Sequence, residues 1–407
     1  MRMGISDVIT LLGGVALFLF GMSLMGDGLK KVAGNKLELV LYRLSSTPLK
    51  GVLLGTAVTA VIQSSSATSV MVVGFVNSGM MQVKQAIGVV MGAILGTSVT
   101  GWILCLSDLS GGSGWVELLS TATLTGIVAI VGIVLRMAGK KQSTLAVGNI
   151  LMGFAVLMFG MSAMSGAVAP LKESEAFIGI LTSFSNPFLG ILVGIAFTSI
   201  LQSASAAVGI LQALAITGAV TFEVAFPIIM GIAVGAAVPV LLSALGANIH
   251  GRRTAFVYLL IDVLGVIIWA AVFYTVNAFV HFSFMTQTMT TVSIALLNTL
   301  FRLATVVVLT PLIGLLERFV CFLIPDRSSA NAAQLEMDRL EERFLQHPAL
   351  AIEQSREVTA AMANTACCNL VDSLRLIGAY SDKTFQHIEE QEETIDSFED
   401  KLGTYLM

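Results

Sequence analysis

Two apolar stretches of this chain are interrupted at their centres by nearly the same polar pentapeptide, Gln63-Ser64-Ser65-Ser66-Ala67 and Gln202-Ser203-Ala204-Ser205-Ala206, 139 positions apart. Few features constrain folding more. At membrane depth, backbone N–H and C=O groups must be satisfied internally, and irregular backbone is tolerated only beside protein, water or a ligand. A break that recurs in register therefore predicts a paired binding site. The same offset aligns Phe20-Gly21-Met22-Ser23 with Phe159-Gly160-Met161-Ser162, Pro48 with Pro187, and Gly51 and Gly55 with Gly190 and Gly194. It also aligns Thr59 with Thr198, Gly79 with Gly218, and Gly92 to Val99 with Gly231 to Val238, without a gap. Chance likeness between apolar helices would match Leu and Ala in drifting register. These matches are Pro, Gly, Gln and Ser, so one unit of about 139 residues is duplicated.

With 56% hydrophobic and only 12% charged residues, the chain reads as an all-α polytopic membrane protein rather than a soluble one. Apolar segments long enough to cross a hydrocarbon core fall near 7–29, 84–106, 117–137, 145–168, 223–246, 254–279 and 290–316, seven expected crossings. The stretches around the pentapeptides, about 48–81 and 187–220, each split into limbs that reach about 20 Å at helical rise, short of the roughly 30 Å that a span requires. Each reads as a re-entrant helical hairpin, with Pro48 and Pro187 suited to the first helical position. The N-terminus has no basic region and no small-residue cleavage site before its apolar run, so that run reads as a first membrane helix rather than a removable signal. Cys105, Cys321, Cys367 and Cys368 show no metal spacing and read as ordinary small residues.

Loop charges orient the chain. Lys30, Lys31, Lys36, Arg43 and Lys50 crowd the loop at 30–50, whereas its counterpart at 169–186 carries only Lys172. Arg136, Lys140 and Lys141, and again Arg252 and Arg253, fall on the same side as the first group. The N-terminus is expected outside, the C-terminus in the cytoplasm, and the two repeats inverted relative to one another.

Each break offers two kinds of chemistry. The limb ending near Gln63 exposes carbonyls that suit a hard cation, and the limb starting near Ser65 presents free N–H groups and a positive dipole end that suit an anion. The Gln63 amide and the hydroxyls of Ser64, Ser65, Ser66, Thr68 and Ser69 can donate to phosphate-like oxygens or coordinate Na+. A helix-packing seam is the competing reading for one Ser-rich break, but it explains two in register poorly. The Gly92/Gly96 and Gly231/Gly235 pairs read as packing motifs, although Thr97, Ser98 and Thr100 could add cation oxygens. Lys84 and Glu223 sit at helix starts and read as interfacial. Arg302 and Asp262 lie deeper in spans, either as a structural ion pair or with Arg302 attracting the anion directly.

Carried by the paired QSSSA and QSASA motifs, the chain resembles the type II sodium/phosphate cotransporter family in its bacterial form with a PhoU-like tail. The resemblance implies Na+-coupled uptake of inorganic phosphate by alternating access across the inner membrane. It implies that Gln63, Ser64, Ser65, Ser66, Gln202, Ser203 and Ser205 line the substrate site, with Thr68 and Ser69 beside them. The sequence departs from the family where Ala204 and Ala207 replace hydroxyls and where Ile94 stands in place of Asn. Expected substrate contacts are thus these seven residues and Arg302. Expected Na+ ligands are Ser65, Ser66, Thr68, Ser69 and Thr97, with Na+ as coupling ion and no covalent cofactor. Another small oxyanion, proton coupling or a non-transporting phosphate sensor remain alternatives. An enzyme is disfavoured, because no His lies near the breaks and Ser without a base is a poor nucleophile.

The expected units are a first repeat at 1–139, a second repeat plus final span at 140–327, and a cytoplasmic helical segment at 328–407. Residues 331–407 carry six basic and fifteen acidic side chains. Apolar residues from Leu335 and Phe344 through Leu402 form a helical stripe that predicts an antiparallel hairpin or bundle. Glu392, Asp396 and Asp400 match the spacing of PhoU-like metal sites, although a solvated acidic face is the reading they favour. Expected partners are phosphate, Na+ and the lipid bilayer, with no nucleic acid and with room for a homo-oligomer or a cytoplasmic regulatory partner through the tail.

Overall fold

The structure, a computed structural model, describes residues 5–33, 47–78, 80–108, 121–168, 183–216, 218–325 and 348–407, with positions 179, 336, 337, 340 and 345. The basic-loop residues Lys36 and Arg43, the counterpart Lys172, and Leu335 and Phe344 of the tail lie outside the described residues. Among the described residues the chain is all helix, apart from one isolated bridge between Thr221 and Thr288. Six helices or helix pairs are long and apolar enough to cross a membrane: Ser6–Ala33, Val83–Leu104, Gln142–Val168, Phe222–Ser243, Ile249–Val280 and Thr291–Leu323. The expected crossing at 117–137 coincides, among the described residues, with the apolar helix Thr121–Ala138, whose Thr123–Ala138 portion is shorter than a spanning helix.

Helix α1 (Ile5–Ala33) is followed by α2 (Pro48–Ile62) and α3 (Ser65–Asn77), which are separated at the first pentapeptide. Next come α4 (Val83–Gly96) and α5 (Ser98–Leu104), which meet at Thr97, then α6 (Thr121–Ala138) and α7 (Gln142–Val168). The order then recurs: α8 (Pro187–Leu201), α9 (Ala204–Ile216), α10 (Phe222–Gly235) and α11 (Val238–Ser243). Helices α12 (Ile249–Val280), α13 (Thr291–Leu309) and α14 (Ile313–Leu323) complete the apolar part. Pro48 and Pro187 occupy first helical turns, where the missing N–H costs nothing. Thr47 and Asn186 cap these helices by accepting from the Lys50 and Phe188 N–H groups.

Glycine decides which helices touch. A Cβ built on Gly92 would run into the Val52 carbonyl of α2, and one on Gly231 would meet the equivalent Ile191 carbonyl of α8. The glycine pairs are therefore packing surfaces that seat each break against the helix that follows it. Helices α1 and α7 pack antiparallel through the same device. Gly21 lies against Gly153 and Leu157, and Gly160 against Gly14 and Phe18, so each close approach has its mate 139 residues on. The largest core surrounds α3, α4, α10 and α12, with Phe75, Val89, Ile229 and Tyr258 fully buried.

The last two helices, α15 (Pro348–Gly378) and α16 (Asp382–Leu406), pack as an antiparallel hairpin. Its small core joins Val358 to Phe398 and Leu402, and nearer the turn Asn369 Nδ2 donates to Glu392 Oε2 at 3.1 Å. Glu392, Asp396 and Asp400 are exposed, and among the described residues no group of three or more such side chains is placed to hold a metal ion.

Candidate functional site

Both pentapeptides break their helices in the same way. Gln63 and Gln202 each take a left-handed backbone conformation, φ 60° and 54°, and each N–H closes the preceding helix on the Thr59 or Thr198 carbonyl at 2.7 Å. His281 is the only other non-glycine residue with positive φ among the described residues. For an L-residue this region costs roughly 1–2 kcal/mol, and such strain persists where surrounding structure imposes it, commonly at ligand sites. Ser64 and Ser203 then cap the following limbs, accepting from the Ala67 and Ala206 N–H groups at 3.1 and 3.2 Å. The first N–H groups of those limbs, at Ser65 and Ser66 and at Ala204 and Ser205, have no carbonyl to reach within their own helix.

The tertiary fold brings the two breaks together. One cavity of about 210 Å³ is lined by Ile62 to Ser66 from the first and by Gln202 to Ser205 from the second. All seven residues expected at the pentapeptides line it. One face of α1 completes the wall from Leu19 through Ser23, Gly26 and Asp27 to Lys30.

A hydrogen-bond chain ties the breaks behind this wall. Thr100 Oγ1 of α5 donates to Gln63 Oε1 at 2.8 Å, and Ser205 Oγ donates to Thr100 Oγ1 at 3.3 Å. Gln63 Nε2 donates to the Ala60 carbonyl, so both ends of its amide are engaged. Tyr258 OH of α12 donates to Ser65 Oγ at 3.1 Å. In the first hairpin Thr59 Oγ1 donates to Thr68 Oγ1 at 3.0 Å, and Thr68 Oγ1 donates to the Ser64 carbonyl at 3.1 Å. The second hairpin has Ala207 where the first has Thr68, and the matching Thr198 hydroxyl is buried without a hydrogen bond.

Several expected site residues do not reach the cavity. Thr68, Ser69 and Thr97 are buried outside its lining. Thr97 Oγ1 donates to the Ala93 carbonyl, while the Ser69 and Ser98 hydroxyls have no hydrogen-bond partner. Arg302 also stands apart. Fully buried, it donates through Nε to Asn298 Oδ1 at 3.0 Å and through Nη1 to the Ile94 carbonyl at 3.2 Å. No Arg302–Asp262 ion pair forms within 4.0 Å, and each keeps a buried polar atom without a partner. The guanidinium instead clamps α13 to the end of α4, because one turn separates it from Asn298 and its long side chain spans to the α4 carbonyl.

Asp27 and Lys30 of the cavity wall, and Tyr258 bonded to Ser65 behind it, are not among the residues expected from sequence. Asp262, one turn beyond Tyr258, is the charged residue that could have drawn attention to that helix face. Asp27 carries a signal as an acidic residue inside the first span, whereas Lys30 reads as one of several basic residues of its loop.

The fold is that of an all-α, multi-pass membrane protein. Residues 17–166 and 171–297 match the Na+/Pi-cotransporter family, and the chain belongs to that family. It is 26% identical to "Uncharacterized protein YqeW" of Bacillus subtilis over 76% of this chain and 96% of that protein. It is 26% identical to "Putative inorganic phosphate export protein YjbB" of Escherichia coli over 86% of this chain and 61% of that protein, so it spans about three fifths of that relative's length. Against "Sodium-dependent phosphate transport protein 2B" of Homo sapiens the identity is 32%, over 30% of this chain and 18% of that protein. No solved structure matches the chain.

Proposed function

We propose that the chain is a secondary active transporter that carries inorganic phosphate across the inner membrane together with Na+, by alternating access. The observation that carries this reading is the single cavity onto which the N-terminal ends of α3 and α9 converge. Two helix N-termini supply unpaired N–H groups and positive dipole ends, and Ser64, Ser65, Ser66, Ser203 and Ser205 add hydroxyl donors. A tetrahedral oxyanion can be enclosed this way with its charge opposed by dipoles rather than by a buried lysine or arginine. Release then needs no strong ion pair to break.

The reciprocal glycine contacts of α1 and α7 support an inverted duplication, and the split limbs support re-entrant hairpins. The two sides differ in polarity. The polar cavity follows α1 toward Lys30, whereas beside α7 and α9, where Ser165 Oγ donates to the Ala213 carbonyl at 3.1 Å, lies a separate apolar cavity lined by Met164, Val168, Leu201 and Ala213. With the basic loop in the cytoplasm, the polar cavity is read as facing inward. The tail hairpin, remote in sequence from both breaks, is read as a regulatory unit.

Uptake is the direction we favour, and the name of the relative "Putative inorganic phosphate export protein YjbB" supports export as the second reading. Radiolabelled phosphate flux in proteoliposomes of known orientation separates them: uptake predicts accumulation that follows an inward Na+ gradient and collapses without it. Flux indifferent to Na+ would remove the coupling, and flux of the opposite sense would select export.

Na+ coordination is assigned chiefly to the first repeat, because Ser69 of its hairpin and Ser98 at the start of α5 offer unspent hydroxyls and their counterparts, Val208 and Ala237, offer none. Ser65→Ala is therefore expected to raise the Na+ concentration for half-maximal flux several-fold, by about 1 kcal/mol of lost ligation. Ser203→Ala should move it less. Titration of flux against Na+ at saturating phosphate checks this, and an equal or reversed ranking rejects the asymmetry.

A further inference from the structure

The cavity wall contributed by α1 changes character along its length. Leu19, Met22, Ser23, Gly26, Asp27 and Lys30 follow one face of the helix at spacings of three and four, from the level of the breaks to the end that leads into the basic loop. Only the last two are charged, and no other lining residue carries a charge. Lys30 Nζ lies 3.5 Å from Asp27 Oδ1, and both side chains are about half exposed, 47% and 58%. A lysine that merely snorkels would extend its amine away from the protein toward lipid headgroups. Lys30 instead lines the passage and lies beside a carboxylate that also lines it. At the 139-residue offset the two positions are Gly166 and Ala169, so the second unit has no equivalent charges.

We propose that Lys30 and Asp27 form an anion-staging site at the mouth of the cavity, one that acts on one face of the membrane only. The proposal rests on the phosphate-transport reading above. An arriving phosphate competes with Asp27 for the Lys30 ammonium, is held there by charge, and passes along Ser23 to the uncharged hydroxyls and N–H groups of the two breaks. Asp27 keeps the grip weak. When no anion is present it takes Lys30 back, so the mouth neither traps phosphate nor presents a bare positive charge to repel Na+. A focused positive charge at a cleft mouth raises local anion concentration and capture rate, and salt weakens it.

The test uses full-length protein in sealed vesicles of both orientations, with phosphate varied on one face at a time. Lys30→Gln is expected to raise the half-saturating phosphate concentration on the α1 C-terminal face about three- to tenfold, and to leave the opposite face within about twofold. Asp27→Asn should shift it in the opposite direction on that same face, since the competitor for the ammonium is gone. Lys30→Arg should behave as wild type, and the Lys30→Gln effect should shrink at high ionic strength. Because an exposed ion pair contributes little to stability, these variants should fold. Equal shifts on both faces, shifts of the same sign in Lys30→Gln and Asp27→Asn, or a silent Lys30→Gln alongside normal wild-type flux would each overturn the staging site alone. Wild-type vesicles that move no phosphate would overturn the transport reading and this inference with it.

Discussion

Replacing Gln63 or Gln202 with alanine is expected to lower phosphate flux roughly tenfold or more, the equivalent of losing about 1.4 kcal/mol of transition-state positioning. The Gln63 amide bonds on both sides, to Ala60 and to Thr100, and Thr100 is in turn bonded by Ser205 of the other break. Removing it unties the two helix ends that face the cavity. Backbone strain is a competing cause, because alanine, like glutamine, is disfavoured at φ 60°. Gln63→Gly separates the two, since glycine enters that region freely. If the amide matters, Gln63→Gly should be as inactive as Gln63→Ala. Recovery of flux with glycine would assign the role to backbone shape. Membrane insertion should be unchanged, so surface-membrane yield serves as the control.

The second large effect is on stability. Gly92→Val and Gly231→Val should each destabilise the protein by about 3 kcal/mol or more, because the new side chain meets backbone carbonyls of Val52 and Ile191 that cannot rotate away. Even alanine at these positions must push α2 from α4, or α8 from α10. Gly126→Ala is the control, since a Cβ there has nothing within 4 Å, and it is expected not to destabilise. Thermal unfolding in detergent reads all three. A melting temperature for Gly92→Val equal to that of wild type would mean that the close approach is not what holds the first hairpin in place.

These effects differ in how visible their causes are in the chain itself. Gly92 and Gly231 announce themselves by spacing, and the carbonyls they meet lie 40 residues away on helices whose starts are marked by Pro48 and Pro187. The breaks are equally legible: the limbs end at Ile62 and Leu201 and resume at Ser65 and Ala204, where a polar run inside an apolar stretch offers capping side chains. Those features are local, so residue type and spacing suffice. Membrane class, helical content and the offset of the duplicated elements follow in the same way from hydropathy and repetition.

Partners distant in sequence are another matter. Arg302 reads as an ion-pair partner of Asp262 or an anion ligand, yet its guanidinium goes to Asn298 and to a carbonyl of α4. Ser65 reads as a free ligand, yet it accepts from Tyr258, 193 positions away. Lys30 looks like one of several loop lysines until the cavity is seen to run along its helix face. Sequence alone therefore determined where the backbone must break and which donors each break carries, because those depend on neighbours along the chain. Tertiary structure alone decided which donors face the shared cavity and which charged side chains line it, because long side chains choose among partners that only helix packing brings within reach.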